Sequence, residues 1–224
     1  MYDGIFFINH ALKVNQLSVY SEQERFEQTL QTIESIDAKC PNNAKFMFDS
    51  SPTRPNHEYI SKLSDRGVSI IWCGAEPNVQ NFSNAGLRSL SECISFMMFI
   101  DWFKQQDIQA KRIYKLSGRY RLTNSFVLDD PSYKDSFVFA ESLDTWMPKS
   151  TIVDKLYRLR LWHMDYSLLN DFRKELQNIF HDCQRYNIDV EHSYYKNLKI
   201  YNRVEVKKIG VCGNIAPNGE YIDE

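Results

Sequence analysis

KRIYKLSGRYRL, residues Lys111–Leu122, joins the pattern of a strand to an end that is suited to binding a ligand. Apolar and charged residues intermingle over Arg112–Leu116, which predicts a strand. Ser117, Gly118 and Arg119 follow directly. Glycine lets the backbone approach a bound group, and a guanidinium can donate two hydrogen bonds to a phosphate. The same charges also suit a solvated sheet edge, where they prevent unwanted pairing, so both interpretations stay open.

Strand and helix patterns alternate on either side of this stretch. The predicted strands are Gly4–Ile8, Lys45–Phe48, Val68–Cys73, Arg112–Leu116, Ser136–Ala140, Tyr157–His163 and Val204–Val211. The predicted helices are Ser21–Ala38, Glu58–Ser64, Leu87–Gln105, Leu168–Tyr186 and Val190–Leu198, with a loop rich in Asn and Pro over Ala75–Asn84. This order predicts one α/β domain over residues 1–224, with a mostly parallel, mixed central sheet and helices on both faces. Ligands of such sheets bind at the carboxyl ends of the strands.

Composition argues against several classes of protein, among them zinc-binding and membrane-spanning proteins. The chain has 224 residues, 43% of them hydrophobic, and a net charge of −2, so no global basic field favours nucleic acid. The five cysteines are widely spaced and form no CxxC pair, which argues for reduced thiols and against a zinc site. The first residues lack the pattern of a signal peptide, and no apolar run is long enough to span a bilayer. We therefore expect a cytoplasmic protein without a transmembrane segment.

Three short segments carry a resemblance to a known family. Arg25–Ser51 contains a Thr-x-x-Ser-Ile helix and a strand that ends in Asp-Ser, and Asn84–Phe103 contains Asn-x-Gly before a long helix. Val190–Leu198 contains Glu191-His192 where a Glu-Asp pair would start a helix. In this order they resemble the nucleotide-sugar glycosyltransferases of the GT-A fold. The resemblance implies a GT-A-like domain that transfers a sugar from a nucleotide-sugar donor to a hydroxyl of a glycan, a lipid-linked precursor or a protein.

The chain departs from this family at one important place. Most metal-dependent members carry Asp-x-Asp at the end of the central strand, whereas this chain contains no Asp-x-Asp and has Leu116–Tyr120 there instead. A diphosphate leaving group needs positive charge from a metal or from basic side chains. Lys115 and Arg119 could supply it, which predicts a metal-independent enzyme or an inactive relative. We predict no metal ligands and no cofactor, although the sequence does not exclude Mn²⁺ or Mg²⁺.

The resemblance and the strand ends together select candidate site residues. The donor-binding candidates are Asn9, Asp49, Asn84, Arg88, Lys115, Ser117, Gly118, Arg119 and Tyr120. Glu191 is the candidate general base that accepts a proton from the acceptor hydroxyl, and His192 stands where the family usually has Asp. Ordinary explanations exist for several of them: Asp49 could form a turn, and Glu191 could simply favour a helix N-terminus.

Two alternative functions stay open. The first is a non-catalytic nucleotide-binding or glycan-binding protein on the same scaffold, which the missing Asp-x-Asp favours. The second is a single-stranded nucleic-acid module that uses the basic and aromatic residues of Lys111–Leu122. The net charge of −2 argues against the second alternative. Phosphate-loop, dinucleotide-binding and nucleophile-elbow motifs do not occur in the sequence.

Overall fold

A computed structural model describes residues 1–14, 18–147, 152–215 and 218–224. The strands are β1 (Tyr2–His10), β2 (Ala44–Asp49), β3 (Val68–Trp72), β4 (Ala110–Ser117), β5 (Tyr120–Leu122), β6 (Phe137–Ala140), β7 (Leu143–Asp144), β8 (Lys155–Leu156), β9 (Leu161–Asp165), β10 (Arg203–Val206), β11 (Val211–Asn214) and β12 (Tyr221–Asp223). The α-helices are α1 (Glu22–Lys39), α2 (His57–Ser64), α3 (Pro77–Asn84), α4 (Arg88–Gln105), α5 (Leu169–Tyr186) and α6 (Val190–Leu198). Two short 3₁₀ helices cover Pro131–Tyr133 and Tyr166–Leu168.

Seven strands form the central sheet in the order β10-β6-β9-β4-β1-β2-β3. β3, β2, β1 and β4 run parallel, while β9 runs antiparallel to both β4 and β6. The carboxyl ends of the parallel strands meet at one edge, where His10 pairs with Asp49 and Asn9 pairs with Ser117. The predicted mixed, mostly parallel sheet is confirmed.

The sheet is buried on both faces, because β1 sends apolar side chains to each side. Ile5 and Phe7 face a core formed with α4 and α5, whereas Phe6 and Ile8 face a core formed with α1. All four side chains are 0% exposed. A strand covered on both faces reads as a continuous apolar run rather than as a strict alternation. This explains the run GIFFI in β1.

The N-terminus of α1 is set locally by its own side chains. Ser21 Oγ accepts the Glu24 N–H at 3.2 Å, and the Glu24 carboxylate accepts the Ser21 N–H at 2.7 Å. This reciprocal capping box satisfies two of the donors that a helix start leaves unpaired. It orients α1 so that the buried residues of its first turns lie beside the end of β1.

Three predicted elements differ from the structure. The predicted loop Ala75–Asn84 contains helix α3, because Pro77 is favourable in a first helical turn and Val79 is buried against the core. The predicted strand Tyr157–His163 is interrupted: β8 ends at Leu156 and β9 starts at Leu161. The predicted strand Val204–Val211 is two strands in two different sheets, β10 in the central sheet and β11 beside β5.

The last strands build a small second sheet. β5 and β12 both pair antiparallel with β11, in the order β12-β11-β5. A further two-stranded hairpin, β7 with β8, stands beside α6. Within the described residues, every helix falls short of the length or the apolar character that a bilayer crossing requires.

Candidate functional site

A cleft of about 380 Å³ lies at the carboxyl ends of β1, β2 and β4. Five of the predicted donor-binding residues line it: Asn9, Asn84, Arg88, Ser117 and Arg119. Further walls come from the start of α1 and from the segment that joins α3 to α4. The topology therefore brings together residues that are far apart in the sequence, at the place where open α/β sheets bind ligands.

Basic side chains dominate the charge of this cleft. Lys13, Arg25, Arg88 and Arg119 line it, and Glu92 is the one carboxylate among the described lining residues. The Glu92 carboxylate already pairs with Lys115 Nζ at 2.9 Å. The walls therefore present an excess of positive charge in a concave site, which attracts anionic ligands.

Arg25 is the site residue that sequence reasoning missed. It is 3% exposed, and its Nε donates to the Ala11 carbonyl at 2.6 Å. Burial, together with the charges of Arg119 and Arg88, lowers the pKa of Arg25 to about 9. The available signal was an arginine next to Phe26, among the positions of α1 that are buried. An arginine is rarely buried unless its guanidinium group has a polar or charged partner.

Arg119 has no carboxylate partner among the described residues. Its guanidinium carbon lies 5.7 Å from the centre of the Tyr120 ring, and its buried Nε has no hydrogen-bond partner there. Tyr120 itself is 3% exposed and does not line the cleft. The prediction that Tyr120 contacts the donor is therefore corrected. The Tyr120 ring instead packs against the guanidinium groups of Arg119 and Arg160, and lies 5.9 Å from the latter.

Lys115 does not face the cleft as predicted. Its ammonium donates to the Leu159 carbonyl at 2.6 Å and to Ser117 Oγ at 3.1 Å, and it pairs with Glu92. The side chain is 2% exposed. Because three protein groups surround this ammonium, its charge neutralises Glu92 and is not available for a direct contact with a diphosphate.

Gly118 approaches a histidine rather than a ligand. A Cβ atom at this position would lie 2.8 Å from Cγ of His10, so only glycine fits without displacing the ring. The Gly118 N–H donates to the Asn9 carbonyl at 3.1 Å, and the Ser117 and Arg119 N–H groups also donate to protein carbonyls. These amides were predicted to approach the diphosphate; in this structure their hydrogen bonds go to protein carbonyls instead.

His10 lies between Gly118 and α1 as a buried, neutral ring. Its Nε2 lies 3.0 Å from Thr29 Oγ1, and its exposed fraction is 4%. Burial, with the positive charges of Arg25 and Arg119, lowers the pKa of His10 well below its ordinary range. His10 therefore adds no charge to the cleft at neutral pH.

Asp49 lies beneath the cleft and does not line it. Its two carboxylate oxygens accept backbone N–H groups, from Leu12 at 2.8 Å and from Ser51 at 2.9 Å. It is 0% exposed, and burial raises the pKa of its carboxyl group. The prediction that Asp49 contacts the donor is therefore corrected. Asp49 instead forms a turn, and its hydrogen bonds connect the loop after β1 with the loop after β2.

Glu191 lies beside the cleft rather than on its wall. The Leu159 N–H donates to the Glu191 carboxylate. The Leu159 carbonyl accepts a hydrogen bond from Lys115 Nζ, so Leu159 lies between Glu191 and Lys115. Burial, with the negative charge of Asp189, raises the pKa of Glu191 to about 7. The Arg160 guanidinium, which also lies 2.5 Å from the Glu224 carboxylate, and the Leu159 N–H oppose this increase. A carboxylate with a pKa near neutrality is suited to general-base chemistry.

His192 is fully enclosed and cannot serve as a second base in this arrangement. Its Nδ1 lies 2.5 Å from Asp189 Oδ1, and its Nε2 lies 2.7 Å from Thr145 Oγ1. The side chain is 0% exposed. Both ring nitrogens have protein partners, so His192 links the start of α6 to Thr145, which directly follows β7. Its predicted catalytic role is therefore corrected to a positioning role.

The donor atoms at the end of β4 do not fit a divalent cation. Ser117 contributes one hydroxyl there, Arg119 contributes a guanidinium, and the nearest carboxylate in the cleft, Glu92, is neutralised by Lys115. Hard divalent cations require several oxygen ligands, with carboxylates among them. In the described part of the chain, no group of three or more His, Cys, Asp or Glu side chains could hold a metal.

Comparisons with solved structures identify the fold. Core-mannan synthase A from Aspergillus fumigatus, solved in a Mn/GDP form, superposes with a TM-score of 0.53 and 10% identity, covering 100% of this chain and 81% of that chain. This chain therefore has a GT-A-like fold. No protein-family model matches the sequence, and no curated protein matches it.

Two weaker similarities involve other transferases. A glycosyltransferase involved in the glycosylation of the major capsid of PBCV-1 gives a TM-score of 0.44 at 7% identity, covering 90% of this chain and 80% of that chain. The CTP:phosphocholine cytidylyltransferase of Streptococcus pneumoniae gives 0.47 at 11% identity, covering 94% and 92%. Neither similarity is strong enough to carry an argument about chemistry.

Proposed function

We propose that this protein is a metal-independent glycosyltransferase that binds a nucleotide-activated sugar in the cleft and transfers the sugar to a hydroxyl group. One observation carries the proposal: Arg25, Arg88 and Arg119 converge at the strand ends of a GT-A-like fold. At the end of β4, where the family usually has metal-binding carboxylates, this chain has Arg119 instead.

The electrostatics of the cleft support a diphosphate ligand. The low pKa of Arg25, about 9, reflects repulsion from Arg119 and Arg88 as well as burial. An anion bound among these guanidinium groups relieves that repulsion. Guanidinium groups also donate paired hydrogen bonds to phosphate oxygens. The cluster is therefore suited to hold a diphosphate in the ground state and to stabilise it as it leaves.

The proposed reaction is a single displacement. The acceptor oxygen forms a bond to the anomeric carbon of the sugar, and the bond from that carbon to the phosphate oxygen breaks. The nucleoside diphosphate leaves with the electron pair, and the arginine cluster stabilises its new negative charge. The acceptor proton passes to the Glu191 carboxylate, whose pKa of about 7 allows it to be unprotonated and still basic near neutral pH.

Donor binding is tested by thermal shift with UDP-, GDP-, CMP- and dTDP-sugars, each with and without EDTA. We expect one nucleotide class to raise the melting temperature and EDTA to leave this increase unchanged, since ligand binding to the folded state stabilises it. Arg119→Gln should lose most of the increase. Arg121→Gln is the matched control, because Arg121 is exposed on β5 and does not line the cleft. Stabilisation that requires a divalent cation would contradict the proposed role of Arg119.

A non-catalytic donor-binding protein is the second candidate. The position of Glu191 beside the cleft, and not on its wall, favours it. The two candidates differ in turnover: release of nucleoside diphosphate from a bound donor, abolished by Glu191→Gln and retained by the exposed control Glu27→Gln, supports the enzyme. Donor binding without any release of nucleoside diphosphate supports the non-catalytic protein.

A further inference from the structure

The segment after β7 carries an unusually exposed tryptophan. Trp146 is 63% exposed, whereas Trp162 is 0% exposed and the other two tryptophans are half-buried. Leu143 and Ile152, which flank it in the same hairpin region, are 39% and 50% exposed. Leaving an indole in water forgoes much of its burial free energy. An exposed aromatic side chain of this kind is a candidate surface for binding a ligand.

Trp146 is held in a defined position next to α6. Its ring packs edge-to-face on the His192 ring, with centroids 5.2 Å apart and planes at 79°. His192 in turn bonds Thr145 and Asp189, and Thr145 Oγ1 also accepts the Met147 N–H at 3.0 Å. A side chain that is already fixed loses little freedom when a ligand binds. Trp146 therefore lies beside the first turn of α6, the helix that also carries the candidate base Glu191.

The charges near Trp146 favour a neutral ligand. Exposed acidic residues of the described hairpin region are Glu141, Asp144 and Asp154, against one basic residue, Lys155. Asp189 adds a further carboxylate beside His192. This acidic surrounding repels phosphates and carboxylates, and its oxygens accept hydrogen bonds from hydroxyl groups. A pyranose ring combines hydroxyl groups at its edge with a face of C–H bonds that can stack on the π-face of an indole.

We propose that Trp146 is a stacking platform for a pyranose ring of the acceptor, and that the acceptor is a neutral glycan. The proposal rests on the proposed glycosyltransferase function, which left open a glycan, a lipid-linked precursor or a protein. An acidic, aromatic surface disfavours the anionic phosphate of a lipid-linked precursor. Trp146 would position the acceptor so that its hydroxyl reaches the donor held by the arginine cluster.

The test measures saccharide binding without any donor. Wild-type protein is titrated with neutral maltotriose, cellotriose, mannotriose and chitotriose at millimolar concentrations, and tryptophan fluorescence is recorded. Because Trp146 is the most exposed of the four tryptophans, at least one trisaccharide should give a saturable change in emission. Trp146→Ala should abolish this change. Trp72→Phe, the control at a half-buried indole, should retain it.

Each outcome decides the proposal. A saturable change that survives in Trp146→Ala, or no saturable change with any of the four trisaccharides, overturns it. Equal affinity for a singly phosphorylated saccharide overturns the neutral-acceptor part. Donor binding is measured separately on the wild-type protein, so saccharide binding without donor binding refutes the glycosyltransferase function while leaving the saccharide site intact. Where turnover is observed, Trp146→Ala should raise the acceptor KM at least about tenfold, which corresponds to about 1.4 kcal/mol.

Discussion

Glu191 stores a measurable free-energy penalty in the folded protein, and the variant Glu191→Gln should reveal it. The pKa of this carboxyl rises from its ordinary value of 4.5 to about 7, because burial and the charges of Asp189 and Glu92 disfavour the carboxylate. The Leu159 N–H and Arg160 oppose this increase. Converted at about 1.4 kcal/mol per pH unit, the difference corresponds to about 3 kcal/mol.

The sign of the effect follows from proton binding. Below pH 4.5 both the folded and the unfolded state hold the proton, so the shift costs no stability. Between pH 4.5 and about 7 the unfolded state releases the proton first, and the folded state becomes progressively less stable. Above pH 7 the full penalty applies. A neutral glutamine carries no such penalty, so Glu191→Gln should be the more stable protein at high pH.

The measurement is urea unfolding of wild type and variant at pH 4 and pH 8. Because the side chain of Glu191 keeps some contact with solvent, we expect a gain of about 1–3 kcal/mol at pH 8. This gain corresponds to a melting temperature higher by roughly 2–12 °C for a chain of this size. At pH 4 the two proteins should differ little. Under the proposed function the variant should also lose transferase activity, because Glu191 is the proposed base.

Glu27→Gln is the control, since Glu27 is exposed on α1. It should show no gain that depends on pH. A Glu191→Gln variant that is equally or less stable than wild type at pH 8 would refute the environment assigned to this carboxyl. A gain of the same size at both pH values would show that the stabilisation does not arise from its titration.

Three further substitutions test residues that lie beneath or beside the cleft. Gly118→Ala should lower the free energy of unfolding by about 1–3 kcal/mol, because the new methyl group would lie 2.8 Å from His10 Cγ; urea unfolding measures this, and an unchanged midpoint would contradict the contact. Asp49→Asn should lower the free energy of unfolding by about 1–3 kcal/mol. Both oxygens of Asp49 accept backbone N–H groups, and the substitution replaces one of them with an NH₂ donor. Thermal unfolding that matches wild type would disprove this role. Lys115→Met should leave Glu92 unpaired and weaken donor binding in the thermal-shift assay. The double variant Lys115→Met/Glu92→Gln should bind the donor more tightly than Lys115→Met alone. Equally weak donor binding by the single and the double variant would argue against this pairing.

Much of the fold could be predicted from the sequence because it depends on local periodicity. The run of apolar residues in β1, the capping box of Ser21 and Glu24 and the amphipathic pattern of α5 each follow from the geometry of one element. The helix α3 was missed because its polar residues and its proline resemble a loop, and its burial depends on α4. Tyr157–His163 was predicted as one strand, although its first residues bond to α6 instead of continuing β9.

The candidate site could be predicted only in part. Asn9, Ser117 and Arg119 were predicted as site residues from their places at strand ends, and they line the cleft because strand ends in an open α/β sheet converge on one edge. Arg25 was missed because nothing near it in the sequence shows that it will face Arg119. Lys115 was assigned to the cleft by its position on the strand, but its orientation toward Glu92 and the Leu159 carbonyl is visible only in three dimensions.

The sequence by itself therefore determined the order, type and approximate limits of the strands and helices, and the presence of cations at the end of β4. Only the tertiary structure decided which of these cations face the cleft and which are neutralised inside the protein. The physical reason is the range of the interactions: backbone periodicity is set by neighbours along the chain, whereas burial and ion pairing depend on groups that long-range packing brings together. Lys115 and Arg119, four positions apart, illustrate this, because one is enclosed by protein acceptors and the other lines the cleft.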